Sequence, residues 1–320
     1  MQILAYRFSA FGDVAMLVPV LKEFLAQNPE VQMIMVSRKG FSDLFEGIER
    51  LKFHGVDVAD YKGIVGLKKL YQELRAAYTI DKVADLHDVI RSKILNQFFR
   101  FGGIPVYKID KGKAEKKHLT DIWNLHKHPI KPTVERYADV FRAMGFTVKL
   151  SHQYPVYQGL KQGIGFAPFA QHKGKMLPLE KAFQLAKALS KDHKVYFFGG
   201  GKKEVEQLER WASELPNTES LAGKLSLKEE LERIAQLEVM ISMDSANMHL
   251  ASLVGTRCIS IWGATHPYAG FLGYGQSKED VVQIKDLTCR PCSVFGDKPC
   301  YRGDWACLNE IQPIMILDKL

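Results

Sequence analysis

The chain has 320 residues, 46% hydrophobic and 25% charged, with 44 Lys and Arg against 36 Asp and Glu. That balance excludes a disordered chain, and no run of about 18 or more apolar residues is present to cross a bilayer as a helix. The positive excess is uneven, with 24 basic against 17 acidic side chains in residues 1–155 and 20 against 19 in residues 156–320.

The opening MQILAYRF is interrupted by Arg7 too early for a secretory signal and reads as a first strand, so a cytoplasmic protein is expected. Strand ILAYRF (3–8) leads through the loop SAFGD (9–13) into the helical VAMLVPVLKEFLAQN (14–28). VQMIMVS (31–37) and KVADL (82–86) follow as further strands. Between Lys108 and Lys131 the basic excess peaks, at Lys111, Lys113, Lys116, Lys117 and Lys127 with His118, His126 and His128. Such a run is either a solvated face or a surface that steers an anionic partner. No helix-turn-helix or RNA-binding signature accompanies it, so nucleic acid is not expected.

After a linker near 152–162 the pattern starts again, with strand GIGFAPF (163–169), loop AQHKGKMLP (170–178) and helix LEKAFQLAKALSKD (179–192). KVYFFGG (194–200), VMISM (239–243) and RCISIWG (257–263) supply more strands. Strands alternating with helices predict parallel sheets covered on both faces, here two Rossmann-like domains over 1–155 and 156–320. Ligands of such sheets lie outside the carboxyl ends of the strands, which directs attention to SAFGD, AQHKGK, GGGKKE and DSANMH. GIGFAP carries Pro168 where a dinucleotide fingerprint needs glycine, and GGGKK (199–203) lacks the spacing and hydroxyl of a phosphate loop. NAD and P-loop chemistry are therefore not supported. DSANMH (244–249) stands where a buried strand turns into a helix, a place for capping side chains or for an anion on the free N–H groups. Four of five cysteines cluster as Cys289, Cys292, Cys300 and Cys307. Three readings stay open for them: a structural zinc site, a disulfide pair, or packed thiols. Cys258 reads as a strand-core residue.

Together these loops resemble glycosyltransferase family 9, the ADP-heptose lipopolysaccharide heptosyltransferases. The likeness runs through RFSAFGDVAMLVPVL (7–21), DLHDVIRS (85–92), VERYADVFRAMG (134–145), KMLPLEKAFQLAKAL (175–189) and SMDSANMHLASLVGTRCISIWGATHP (242–267), and extends to the cysteine segment from CRPC (289–292). Two positions depart from the family pattern: Ala246 stands where Gly is usual, and Leu177 where Trp is usual before Pro178. The resemblance implies a GT-B fold: two facing Rossmann-like domains with mainly parallel sheets and an interdomain cleft, donor held by the second and acceptor by the first.

It also implies roles. Asp13 becomes the base that deprotonates the acceptor hydroxyl, where the residue type alone suggests a helix N-cap. Lys175 becomes the cation for the departing diphosphate, although Lys173 lies two residues away. Ala170 and Gln171 fall at positions meeting the phosphates, as do the N–H groups of Ser245, Ala246 and Asn247 and the ring of His249. Asp244 falls on donor hydroxyls, Gly200, Gly201 and Glu204 on the ribose, and Leu225 beside the adenine. Arg7, Ser9, Lys116, Lys117 and His118 are the acceptor candidates. The implied reaction is inverting, metal-independent and without cofactor. It moves heptose or a related sugar from a nucleotide-diphosphate donor to a phosphorylated glycolipid, by a monomer at the inner membrane surface. The competing readings are a GT-B sugar-nucleotide epimerase or hydrolase, and a sugar-nucleotide-binding protein without activity.

Overall fold

The computed structural model describes residues 1–320. It divides into two compact units, one of Met1–Gly112 with Thr133–Ser151 and the other of Lys113–Pro132 with His152–Leu320.

In the first unit, β1 (Gln2–Tyr6), α1 (Phe11–Gln27), β2 (Gln32–Arg38), β3 (Leu51–Val56), α2 (Gly63–Ala77), β4 (Lys82–Asp85), α3 (Ile90–Phe101) and β5 (Val106–Lys108) follow one another along the chain. All strand pairs are parallel, in the order β3-β2-β1-β4-β5. Five consecutive residues of β2 are buried, as befits a strand covered on both faces. Leu4, Tyr6, Ile34, Val36, Leu70, Leu95 and Phe99 share one core, and burying each such side chain contributes about 1.5–3 kcal/mol. The helix α1 begins three residues earlier than its apolar pattern predicted, with Ala10 as N-cap, because Phe11, Gly12 and Asp13 already form its first turn.

α4 (Lys113–Leu119) belongs to the second unit and α5 (Thr133–Ala143) to the first. The second unit continues with β6 (Ile164–Ala167), α6 (Leu179–Asp192), β7 (Val195–Phe197), α7 (Lys202–Glu214), β8 (Thr218–Ser220), α8 (Leu227–Ala235), β9 (Val239–Met243), α9 (Ala246–Leu253), β10 (Arg257–Ile261), β11 (Val281–Val282), α10 (Ala306–Asn309) and α11 (Ile314–Leu317). Its six strands are parallel in the order β11-β10-β9-β6-β7-β8. Phe166, Leu185, Phe197, Trp211, Ile241 and Ile259 form its core, and Leu177, at the position where the resemblance expects Trp, is buried among them.

The sequence expectation divides the chain at 155/156. The break at Ser151 falls in the anticipated linker, but residues 113–132 leave the first half and fold with the second. Backbone and ring contacts hold them there: Ile130 N–H donates to the Tyr268 carbonyl at 3.0 Å, and Trp123 meets Tyr301 edge-on at 5.9 Å. Lys116, Lys117 and His118 therefore belong to the second unit, whereas Arg7 and Ser9 belong to the first.

Each sheet has one place where the chain's winding reverses. In the first it lies between β1 and β4, in the second between β6 and β9. Such switch points open a crevice at the carboxyl ends of the two strands, because the following helices leave to opposite faces.

Candidate functional site

At the first switch point the end of β1 carries Arg7, and the first turn of α1 carries Asp13. The Arg7 Nη2 and Asp13 Oδ2 atoms are 2.6 Å apart. Arg7 is buried; it also donates to the Leu86 carbonyl at 2.5 Å and lies over the Tyr137 ring at 5.5 Å. The Tyr137 hydroxyl in turn donates to the Asp13 carbonyl at 3.2 Å. Asp13 does not cap its helix; Ala10 holds that position, and the carboxylate faces Arg7 instead. From the end of β4 comes His87, a residue that the reading of single positions passed over although it lies within DLHDVIRS. Its Nε2 is 3.3 Å from the Ser9 hydroxyl, and the Phe8 N–H faces its Nδ1 at 3.5 Å. Burial, reinforced by the charge of Arg7, pushes the His87 pKa down to about 3, so the ring is neutral near neutral pH.

At the second switch point Lys175 follows β6 and Asp244 follows β9. Lys175 Nζ and Asp244 Oδ2 are 3.0 Å apart, and the Asp244 side chain is buried. Of the two loop lysines it is Lys175 that meets Asp244, while Lys173 Nζ lies over the Trp305 ring at 5.5 Å. The turn carrying Lys175 is braced through Gly174, whose N–H donates to the Gly296 carbonyl at 3.2 Å and whose carbonyl accepts from Ala264 at 2.8 Å. A side chain at Gly174 would bring its Cβ within 2.7 Å of the Gly296 oxygen, so the close approach requires glycine.

Ser245 is the N-cap residue of α9, yet its side chain caps nothing; its hydroxyl meets that of Ser242 at 3.1 Å. The first N–H groups of the helix, at Ala246 and Asn247, are thereby left available beside the lysine, with the partial positive charge of a helix start. His249 is buried in the following turn. One further residue, within SMDSANMHLASLVGTRCISIWGATHP (242–267), has no role in the reading of single positions. Thr265, after β10, has a buried hydroxyl with no hydrogen-bond partner.

The remaining donor candidates lie at the carboxyl ends of neighbouring strands. Ala170 is half-buried and Gln171 exposed after β6. Gly200 donates its N–H to Glu204 Oε2 at 2.9 Å, and Gly201 starts α7 with φ 86° and no capping side chain. Burial raises the Glu204 pKa, and the Gly200 N–H opposes that shift. Leu225 is half-buried beyond β8. Lys117 and His118 line an open hollow of about 710 Å³ with Asp121, Trp123, Lys298 and Tyr301, while Lys116 Nζ lies over the Phe271 ring at 4.6 Å. No three His, Cys, Asp or Glu side chains of the chain are gathered in coordinating geometry.

A sequence profile of glycosyltransferase family 9 (heptosyltransferase) matches residues 67–299. The chain belongs to glycosyltransferase family 9. Lipooligosaccharide heptosyltransferase 2 of Campylobacter jejuni is 24% identical over 185 residues, so the match spans 56% of this chain and little over half, 56%, of that relative. Among solved structures, a family 9 glycosyltransferase of Veillonella parvula is similar at a TM-score of 0.74 with 17% identity, covering 99% of this chain and 95% of that one. Heptosyltransferase WaaC of E. coli, in a structure with ADP, is similar at 0.68 with 20% identity, covering 92% and 97% respectively. The two parallel sheets with flanking helices are those of the GT-B fold.

Proposed function

We propose that this family 9 protein is an inverting glycosyltransferase that takes a sugar from a nucleotide diphosphate, ADP-heptose being the donor best matched by its relatives. The single observation that carries the reading is Lys175 set 3.0 Å from Asp244 beside the uncapped start of α9, at the switch point of the second sheet. An ammonium and free helix N–H groups together suit a diphosphate, both bound and departing. Lys175 then neutralises charge as the glycosidic C–O bond breaks, and Asp244 exchanges its lysine contact for donor hydroxyls. Ser245, Ala246, Asn247, His249, Thr265, Ala170 and Gln171 surround the phosphates, and Gly200, Gly201, Glu204 and Leu225 hold the nucleoside.

Asp13 in the first unit takes the acceptor hydroxyl proton as that oxygen attacks the anomeric carbon, with Arg7 orienting the carboxylate. Lysine and helix start occupy the role that a divalent cation has in metal-dependent transferases, so transfer needs no added magnesium or manganese. The acceptor in this reading is a phosphorylated glycolipid of the lipopolysaccharide core type, met by Arg7 and Ser9. The basic segment with Lys116, Lys117 and His118 faces the anionic membrane surface, with the protein on its cytoplasmic side and acting as a monomer.

A thermal-shift panel tests the donor. At a ligand concentration of about 100 Kd, ADP should stabilise the chain by about 2.7 kcal/mol, and ADP-heptose likewise, while UDP and UDP-sugars leave the transition in place. Asp13→Asn should keep that ADP shift and lose transfer by about 10²–10⁴-fold, the usual worth of a general base. Sugar release from the donor without any acceptor would favour a hydrolase, and indifference to every nucleotide would end the transferase reading.

A further inference from the structure

In the first unit, α2 buries Leu67, Leu70 and Leu74, and α3 buries Leu95 and Phe99. The apolar residues at the very start of both helices are left out of that packing: Ile64 is 65% exposed, Val65 83% and Ile90 79%. A single exposed apolar residue needs no explanation, but several gathered at one tip of a domain do.

One hollow brings them together. It has a volume of about 430 Å³ and is lined by Lys62, the residue before α2, and by Arg91, the second residue of α3. Arg38 and Lys39, from the end of β2, complete a wall of four cations. The one carboxylate among the lining residues, Asp57, is engaged elsewhere, its Oδ1 accepting from the Ala59 N–H at 2.9 Å. No side chain caps α2, so its first N–H groups add partial positive charge at the same place. The tip is also firmly built. Gly66 donates its N–H to the Lys62 carbonyl at 3.2 Å, and a Cβ there would fall 2.5 Å from the Tyr61 carbonyl carbon. The first turn of α2 therefore packs directly on its own backbone, and Ile64 and Val65 are held outward.

Apolar tips ringed by cations suit a partner that is anionic at its surface and apolar beneath. A second copy placed by a two-fold axis would set these cations against themselves. Isoleucine and valine offer the bases of a nucleic acid nothing to stack on. An anionic bilayer satisfies both halves of the pattern, since apolar side chains enter the acyl boundary while lysine and arginine meet lipid phosphates.

We propose that the starts of α2 and α3 form a membrane-docking surface, with Ile64, Val65 and Ile90 entering an anionic phospholipid leaflet and the four cations meeting its headgroups. Arg38 Nε donates to the Phe8 carbonyl at 2.8 Å, beside Ser9, so this surface lies at the same end of the first sheet as the acceptor candidates. A glycolipid acceptor then presents its sugar at Asp13 while its acyl chains stay in the leaflet. The choice of partner rests on the glycolipid-acceptor reading, and the residues are distinct from the basic segment 113–132.

The full chain should sediment with vesicles of phosphatidylglycerol and phosphatidylcholine, and not with vesicles of phosphatidylcholine alone. Ile64→Ser with Val65→Ser should weaken that binding by about 10-fold or more, and so should Lys62→Ala with Arg91→Ala. Neither pair alters a core residue, so melting temperatures should stay close to that of the unaltered chain. Val65→Trp should add a tryptophan emission that shifts to the blue with anionic vesicles and is quenched by brominated acyl chains. Unchanged binding by the Ile64 and Val65 pair, with no quenching in the Val65→Trp variant, would overturn the proposal. Loss of binding in the charge pair alone would also overturn it, leaving a site for headgroup phosphate without insertion. The vesicle assay contains neither donor nor acceptor, which separates the two readings. A chain that ignores vesicles yet keeps its ADP thermal shift would lose the docking surface and keep the transferase. Tip-dependent vesicle binding by a chain indifferent to every nucleotide would do the reverse.

Discussion

His87 shows how a single side chain at the first switch point acquires properties that its identity does not announce. Its ring touches the Ser9 hydroxyl and the Phe8 backbone, and burial beside Arg7 holds its pKa at about 3 against 6.5 for a free histidine. Between those values the unfolded chain takes up a proton at this residue and the folded chain does not. Acid therefore favours unfolding: the contribution is fully present above pH 6.5 and is lost progressively as pH falls toward 3. Melting temperatures followed from about pH 7 down to about pH 4.5 should fall more steeply for the unaltered chain than for His87→Gln, which keeps polar atoms near Ser9 without titrating. Equal slopes would remove His87 as a source of acid sensitivity. The sequence placed Asp13, Arg7 and Ser9 in one motif, but it could not bring His87 to Ser9, because that contact joins the ends of β1 and β4 across 78 residues. Spacing alone did not separate Lys173 from Lys175, which the resemblance favours; in the structure Lys173 lies over Trp305 and Lys175 against Asp244.

Two helices of the second unit begin with serine, and only one uses it as a cap. At the start of α8, Ser226 Oγ accepts from the Glu229 N–H at 3.3 Å, and the Glu229 carboxylate accepts from the Ser226 N–H at 2.8 Å, a reciprocal capping box. At the start of α9 the Ser245 hydroxyl turns to Ser242, and the first turn stays open. Ser226→Ala should therefore cost about 0.5–2 kcal/mol in urea unfolding, whereas Ser245→Ala should stay within about 0.5 kcal/mol. A Ser245→Ala loss as large as that of Ser226→Ala would mean that the α9 start is capped after all. Ser226 and Glu229, three residues apart, are a local capping pattern. Nothing local in DSANMH distinguished a used cap from an open one, since that depends on Ser242 at the end of the buried strand β9. Ala246, where the family pattern has Gly, sits in the first helical turn with a helical residue's ordinary geometry. Its N–H still faces the open end, so the methyl group leaves that donor in place.

On the scale of the whole molecule, the net charge of +8 includes the basic segment 113–132, which folds with the second unit. That segment presents Trp123 (75% exposed) beside Lys117 and His118, and also exposes Leu125 (71%). Each lysine near an anionic bilayer contributes about 1 kcal/mol. Lys116→Ala combined with Lys117→Ala should therefore weaken sedimentation with phosphatidylglycerol-containing vesicles by about 10-fold or more, while leaving the ADP-induced thermal shift unchanged. Undiminished vesicle binding would detach this segment from the membrane reading. The alternation of strands and helices, the two Rossmann-like halves and the loops that carry the candidate residues were legible in the sequence. Those follow from side-chain periodicity and turn chemistry, which are local. Which half claims residues 113–132, which lysine meets Asp244, whether Ser245 caps its helix, and that four cysteines line one cavity with Arg290 came from the folded chain. Each of these depends on groups brought together from distant positions by strand order, a relation that no local pattern encodes.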